Sequence, residues 1–220
     1  MEKKADFKKM KKSEIAGFIW DYYKWYIIVA VVLIVAAISL ISHYRSYKDP
    51  VVQIALVNCD TKKMTEEGQP DFSDYMEKYG YDEKKQTVDL LTDYQFSLSS
   101  DDSRQIYTFQ SFVVLTAAGG IDLVAADEEI YEYLASCKTI EPLDNYLSEE
   151  YMEKYKDDII YVENQETGKK FAAGIRIPNN KWMVEHGFYG EDCVIGFATG
   201  TTREEAATRM LLYLLGEEVD

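Results

Sequence analysis

Gly119-Gly120-Ile121-Asp122-Leu123-Val124-Ala125-Ala126-Asp127 reads as a helix end, a short buried strand and an acidic start to the next helix. Two glycines stop a helix that runs from about Ser103 to Ala118, in which Ile106, Phe109, Phe112, Val113 and Thr116 are spaced for burial. Ile121–Ala126 then fills the core as a strand. Asp127 is placed to cap the following helix, and Glu128 and Glu129 fall in its first turn, where the dipole is positive. Ile130, Tyr131 and Leu134 give that helix its apolar face.

The same alternation extends in both directions. Val51–Val57 is apolar almost throughout, as expected of a strand buried on both faces, and Asn58-Cys59-Asp60 follows it. Thr61 to Asp71 reads as a polar loop, and Phe72, Tyr75, Met76 and Tyr79 share a helical face closed by Gly80. Thr87–Phe96 alternates, with Val88, Leu90, Thr92, Tyr94 and Phe96 on one side, which predicts a strand with one wetter face. Beyond the central stretch, Ser148–Lys156 reads as a charged helix. Ile159–Val162 and Phe171–Ile177 read as strands joined through Glu166-Thr167-Gly168-Lys169, a hairpin signal, and Pro178-Asn179-Asn180-Lys181 breaks the pattern. Val194–Thr199 is a last strand. Thr202 and Glu205 have capping-box spacing before a helix with Ala206, Ala207, Met210, Leu211 and Leu214 on one face, ended by Gly216. Short apolar strands alternating with helices predict an α/β sheet with helices on both faces.

The first 50 residues differ in kind. Residues 1–24 are a basic segment holding Lys3, Lys4, Lys8, Lys9, Lys11 and Lys12; residues 25–42 form an apolar run; residues 43–50 are a linker to the domain at 51–220. Eighteen helical residues span about 27 Å, close to the hydrocarbon thickness of a bilayer. Trp20, Tyr22, Tyr23, Trp25 and Tyr26 crowd one end of the run and Tyr44 and Tyr47 the other, as in interfacial aromatic belts. The lysines place the N-terminus in the cytoplasm and the following domain outside the cell. A cleaved signal peptide is the rival reading, but no good small-x-small site precedes His43, and Ala37-Ile38-Ser39 lies inside the run.

Charge is divided along the chain. Residues 1–49 hold nine Lys/Arg and five Asp/Glu, whereas residues 50–220 hold fifteen and thirty-four, a net of −19. So acidic a domain repels phosphate backbones, which argues against nucleic acid as a partner, and it stays soluble through its charged surface. Cys59, Cys137 and Cys193 form no CxxC pair, and His43 and His186 are too few for a usual zinc site. Cys59 and Cys193 both flank predicted strands, which leaves one bridge between them open.

Three segments carry a family resemblance. Ala117–Asp127 resembles the helix–Gly–Asp–strand passage of extracellular solute-binding proteins of ABC transporters, which have the type 2 periplasmic-binding fold. Glu141-Pro142-Leu143-Asp144-Asn145-Tyr146-Leu147 is similar to the segment that follows it there, and Gly168–Ile175 through Pro178 is similar to a later strand with the proline displaced. The family's second lobe cannot fit in the roughly sixteen residues between Pro178 and the last strand, and its lipid-modified Cys is absent. The resemblance therefore implies one lobe of that fold on a membrane stalk, similar in its Trp20–Tyr26 approach to the membrane to uncharacterised proteins of Gram-positive anaerobes.

Ligands of parallel α/β sheets bind beyond the carboxyl ends of the strands. That rule selects Asn58 and Asp60 after the first strand, Tyr94 near the end of the second, Asp127 after the third, and Thr199, Thr201 and Thr202 after the last. Trp182 is added as a ring that could stack on a sugar. Each has a competing structural role: helix capping for Asp127 and the threonines, turn formation for Asn58 and Asp60, local packing for Trp182. Thr199-Gly200-Thr201-Thr202 before a helix could hold an anion, but no Lys or His stands beside it. GxSxG, Walker A, HExxH and Rossmann glycine patterns are all missing. The expectation is a non-catalytic outer module, without a cofactor, that binds a small solute or docks on a transporter permease. The alternative is a structural or interaction protein of the cell envelope that has lost solute binding.

Overall fold

The computed structural model describes residues 12–99, 102–164, 167–177, 181–189 and 193–217. Lys3, Lys4, Lys8, Lys9, Lys11, Glu166 and Pro178–Asn180, used above, lie outside them. The chain divides into two compact units at Tyr47/Lys48. The first holds α1 (Lys12–Ser46), whose Tyr23–Ile41 portion is 19 residues long and apolar enough to cross a membrane. Its apolar residues Ile28 to Ile41 are exposed, as on a helix whose solvent is lipid.

The second unit is an α/β domain built on one six-stranded sheet: β1 (Asp49–Leu56), β2 (Gln86–Leu91), β3 (Leu123–Ala126), β4 (Ile159–Glu163), β5 (Lys170–Ile177) and β6 (Cys193–Phe197), in the order β2-β1-β3-β6-β5-β4. The sheet is mixed. β1 runs parallel to β2 and β3, whereas β6 is antiparallel to β3, and β5 and β4 continue antiparallel beyond it. Helices α2 (Lys62–Glu67), α3 (Ser73–Lys78), α4 (Ser103–Ala117), α5 (Glu128–Ser136), α6 (Glu149–Lys154), α7 (Lys181–Glu185) and α8 (Glu204–Leu214) complete it, with a 3-10 turn at Leu143–Asn145.

Strand periodicity sends successive side chains to opposite faces, and the core divides accordingly. Ile54, Leu56, Leu123, Ala125, Ile195 and Phe197 meet Tyr75, Met76, Met210 and Leu211 of α3 and α8 on one face. Ala55, Val57, Val124, Ala126 and Val194 meet Phe112, Tyr131 and Leu134 of α4 and α5 on the other. Helices on both faces agree with the sequence pattern. The end of α4 also follows expectation: Gly119 takes φ +72, its N–H donates to Thr116 O, and Gly120 N–H donates to Leu115 O, a Schellman closure.

Three local expectations are corrected. The strand expected over Thr87–Phe96 leaves the sheet after Leu91, because Asn58 captures the backbone of Tyr94 and Phe96 instead. Part of the expected loop Thr61–Asp71 forms α2. The Thr202/Glu205 capping box does not form: Arg203 occupies the N-cap position of α8 with no side-chain cap bond.

Glycines of β5 and β6 admit a buried ring. Tyr131 reaches across the sheet face from α5, and its hydroxyl donates to Ala173 O at 3.0 Å. A Cβ added at Gly196 would stand 2.2 Å from Tyr131 Oη and 2.7 Å from Ala173 O, and one at Gly174 would stand 2.8 Å from the same ring. Gly196→Ala is expected to cost about 1–3 kcal/mol, the range for overpacking a dense core. Tyr131→Phe in the Gly196→Ala background should recover part of that loss, since it removes the nearest clashing atom. Chemical denaturation of the single and double variants reads the coupling, and strict additivity would contradict this packing.

Candidate functional site

The antiparallel course of β6 separates the residues that sequence reasoning grouped. β3 and β6 pair Leu123 with Phe197 and Ala126 with Val194, so the end of β6 lies beside the start of β3. Thr199, Thr201 and Thr202 therefore sit at the amino ends of the parallel strands. Asn58, Asp60, Tyr94 and Asp127 sit at their carboxyl ends. The single site expected from a parallel sheet is two separate regions.

At the carboxyl ends, an open groove of about 750 Å³ lies beyond β1 and β2, lined by Asn58, Cys59, Asp60, Thr61, Lys62, Met64, Thr65, Thr92, Asp93 and Gln95. Asn58 takes φ +56, a conformation that asparagine tolerates better than most residues. Its amide donates to Phe96 O at 2.8 Å and accepts from Phe96 N at 2.9 Å, in the manner of a strand's backbone. Asp60 accepts from Lys62 N at 2.9 Å and pairs with Lys62 Nζ at 3.4 Å. The Lys62 backbone N–H is the main cause holding its carboxyl below the usual range. Gln95 donates to Cys59 O at 3.1 Å. Burial, aided by the charges of Asp60 and Asp93, pushes the Cys59 thiol up to about 11, so it stays protonated at neutral pH. Cys59, Cys137 and Cys193 are all free, so the open bridge between Cys59 and Cys193 is not made.

The crevice between the carboxyl ends of β1 and β3 is filled by protein. The buried Tyr189 hydroxyl lies 2.8 Å from both Val57 O and Ala125 O, and its single proton is shared between them. Asp60 N–H donates to Phe188 O, which ties the same segment to the end of β1. Trp182, expected on a loop, lies on α7 and packs with Phe72 at 5.3 Å, His186 at 4.5 Å and Phe188 at 5.8 Å, so its ring belongs to an aromatic cluster. Tyr94 packs edge-on against Phe112 at 5.2 Å, and burial followed by the Asp93 charge raises its pKa.

At the amino ends, Thr199 Oγ1 donates to Glu141 Oε1 at 2.6 Å on the rim of a second groove of about 550 Å³. Lys138, Lys169 and Lys170 also line this groove. Thr201 is buried and donates to Asp122. Asp122 is the residue that sequence reasoning missed. It is fully buried, yet its carboxylate accepts from Gln53 N at 2.8 Å, from Thr201 Oγ1, and from Arg203 Nε at 2.8 Å in an ion pair. Arg203 Nη2 continues to Gln53 Oε1 at 3.1 Å and Gly119 O at 3.3 Å. An acid between two apolar residues, Ile121 and Leu123, was the available signal, because such a charge needs a partner when buried. This network satisfies its own groups and holds the β6–α8 turn against β1 and β3. Among the described residues, no group of three or more His, Cys, Asp or Glu is arranged to hold a metal ion.

Removing one member of a buried, hydrogen-bonded ion pair leaves the other uncompensated. Because about a quarter of the Arg203 side chain is exposed to water, Asp122→Ala is expected to cost about 3 kcal/mol, the lower end of the usual range. Arg203→Lys should lose a smaller share, since an ammonium cannot span Asp122, Gln53 and Gly119 as a guanidinium does. Denaturation midpoints of both variants test this order.

Asp127 stands at the N-cap of α5 in extended conformation, and its backbone carbonyl accepts from Tyr131 N, but its side chain makes no cap bond. Desolvation first, then the Glu129 charge, raises its pKa. A carboxyl raised above its unfolded value is harder to ionise in the folded state, so its charge opposes folding once pH exceeds both values. Asp127→Asn is thus expected to leave thermal stability at pH 7 unchanged or higher. Asp127→Ala should likewise cost little, whereas a residue whose side chain capped the helix would lose about 1 kcal/mol with its acceptor. Melting curves at pH 4 and pH 7 should show any gain only at the higher pH. No protein-family model, curated protein or solved structure matches the chain.

Proposed function

We propose that the chain is a single-pass membrane protein with a cytoplasmic basic N-terminus and a non-catalytic extracellular domain that holds a small polar solute. The observation that carries this reading is the groove beyond β1 and β2. It lies beyond the carboxyl ends of two parallel strands, next to the filled β1/β3 crevice, and Thr61, Thr65, Thr92, Gln95, Asp93 and the Asp60–Lys62 pair line it. Such a set suits hydroxyl or ammonium groups. The apolar Tyr23–Ile41 helix with its aromatic flanks supports the anchor, and the N-terminal lysines support the orientation. The three solute-binding-like segments support a single lobe of the periplasmic-binding type. One wall buries less of a ligand than a closing pair, so this groove binds weakly and exchanges fast.

A second reading, docking on a transporter permease or another envelope protein, draws on the filling of the β1/β3 crevice by Tyr189. Thermal shift of the purified protein against polyols, sugars, amino acids and divalent cations separates the two. A solute held in the groove at 100 times its Kd should raise the melting temperature by about 5–10 °C. Asp93→Asn and Thr92→Ala should shrink the shift. Silence across the panel, or a shift that both variants leave intact, would remove the solute reading. An impermeant maleimide applied to whole cells should label Asp74→Cys if the domain faces outward.

A further inference from the structure

α4 hides an apolar side and shows a side on which apolar residues stand among small and uncharged polar ones. Phe112 and Thr116 are buried against the sheet, with Phe109, Val113 and Leu115 half-buried beside them. The opposite side presents Ile106, Tyr107 and Val114 to solvent, the last two 68% and 67% exposed. Among the described residues of the outer domain, six large apolar side chains are exposed: Leu98, Ile106, Tyr107, Val114, Tyr133 and Tyr161. Three are on α4, and Tyr133 lies 5.6 Å from the Phe109 ring of the same helix. Such a concentration of exposed apolar side chains on one helix marks a surface suited to being covered.

The charge pattern says by what. From Ser103 to Ile121 the chain has no acidic residue and only Arg104 as a cation, the longest acid-free run in a domain of net charge −19. A neutral or basic partner could approach such a domain on any face. A second copy is repelled where its own carboxylates meet carboxylates; Thr167–Val184 is also free of acids but carries Lys169, Lys170, Arg176 and Lys181, so α4 is where two copies can meet with neither like charge nor a cationic surface between them. The exposed seam also has self-complementary spacing. Ser103, Tyr107, Gln110, Val114 and Ala117 recur at intervals of four and three, the heptad spacing by which two helices interdigitate. Gln110 is at the middle of the helix, and its amide can both donate and accept.

We propose that α4 is the interface of a homodimer, with two α4 helices packed antiparallel about a two-fold axis near Gln110. In that arrangement Tyr107 packs against Val114 of the partner subunit, and the two Gln110 amides bond to each other, fixing register as buried polar residues do in coiled coils. The small side chains of Ser103, Ser111 and Ala117 let the backbones approach. The inference is independent of solute binding, since the groove residues 58–65 and 92–95 are not part of the seam.

The test uses the full-length protein in native membranes and in detergent. In a Cys137→Ser background, with Cys59 and Cys193 buried, Gln110→Cys is expected to give a disulfide-linked dimer on mild oxidation, while Asp74→Cys on α3 does not. Light scattering should give a dimer mass, and Val114→Glu should lower the dimer fraction about tenfold or more, the effect of about 1.4 kcal/mol or greater in association. Because Val114 is exposed in the single chain, its thermal melt should stay cooperative. Tyr107→Glu should repeat the loss from the other end of the seam. A monomer mass together with no Gln110→Cys dimer in membranes would overturn the proposal, as would cross-linking of Gln110→Cys to a different protein in place of a second copy.

Discussion

The buried carboxylate of Asp122 is the interaction on which the arrangement of the α/β domain depends. Taking an unpaired carboxylate out of water costs several kcal/mol, so its presence in a strand entrance requires partners. They come from three directions: the backbone of β1 through Gln53, the turn after β6 through Thr201, and the base of α8 through Arg203. Only an antiparallel β6 brings Thr201 and Arg203 to the amino end of β3. The ion pair and the mixed sheet therefore imply each other. Ala198 N–H donating to Asp122 O seals the same junction through the backbone.

Buried tyrosines perform a related task elsewhere. Tyr131 lies in a channel made by Gly174 and Gly196 and bonds Ala173 O; Tyr189 bonds the carbonyls of Val57 and Ala125 where two strands end. A buried carbonyl without a partner costs about 1–3 kcal/mol, and a phenol can satisfy it while its ring fills the core. The consequence for function is spatial. With Tyr189 filling the crevice between β1 and β3, the open polar surface at that end of the sheet is displaced toward β2, where Asn58, Asp60 and Gln95 line it.

Surface chemistry divides the domain further. Carboxylates are spread along most of the domain, lysines gather around the groove that includes Thr199, and among the described helices of the domain α4 combines the greatest length with exposed apolar residues. The proposed solute and the proposed second copy thus use different faces of one domain. The proposed groove uses polar side chains at strand ends, whereas the proposed dimer seam uses a helix that carries no carboxylate.

Local chemistry was legible in the sequence wherever neighbours along the chain determine the outcome. The apolar run of α1, the Gly119-Gly120 helix stop, the two-sided burial of β1 and the β4–β5 pairing all follow from periodicity and turn residues within a few positions. Strand direction is different. β6 has the same apolar pattern whether it runs with β3 or against it, so the placement of Thr199 and Thr201 opposite Asn58 and Asp60 could not be read locally. Nor could the pairing of Asp122 with Arg203, eighty-one residues apart. Asn58 and Trp182 were chosen for chemistry that their side chains possess, but tertiary contacts direct that chemistry inward, to the backbone of Phe96 and to an aromatic cluster. Hydrophobic periodicity records which face a residue turns to the core; it carries no information about which distant group that face will meet, and that is what the folded structure decided.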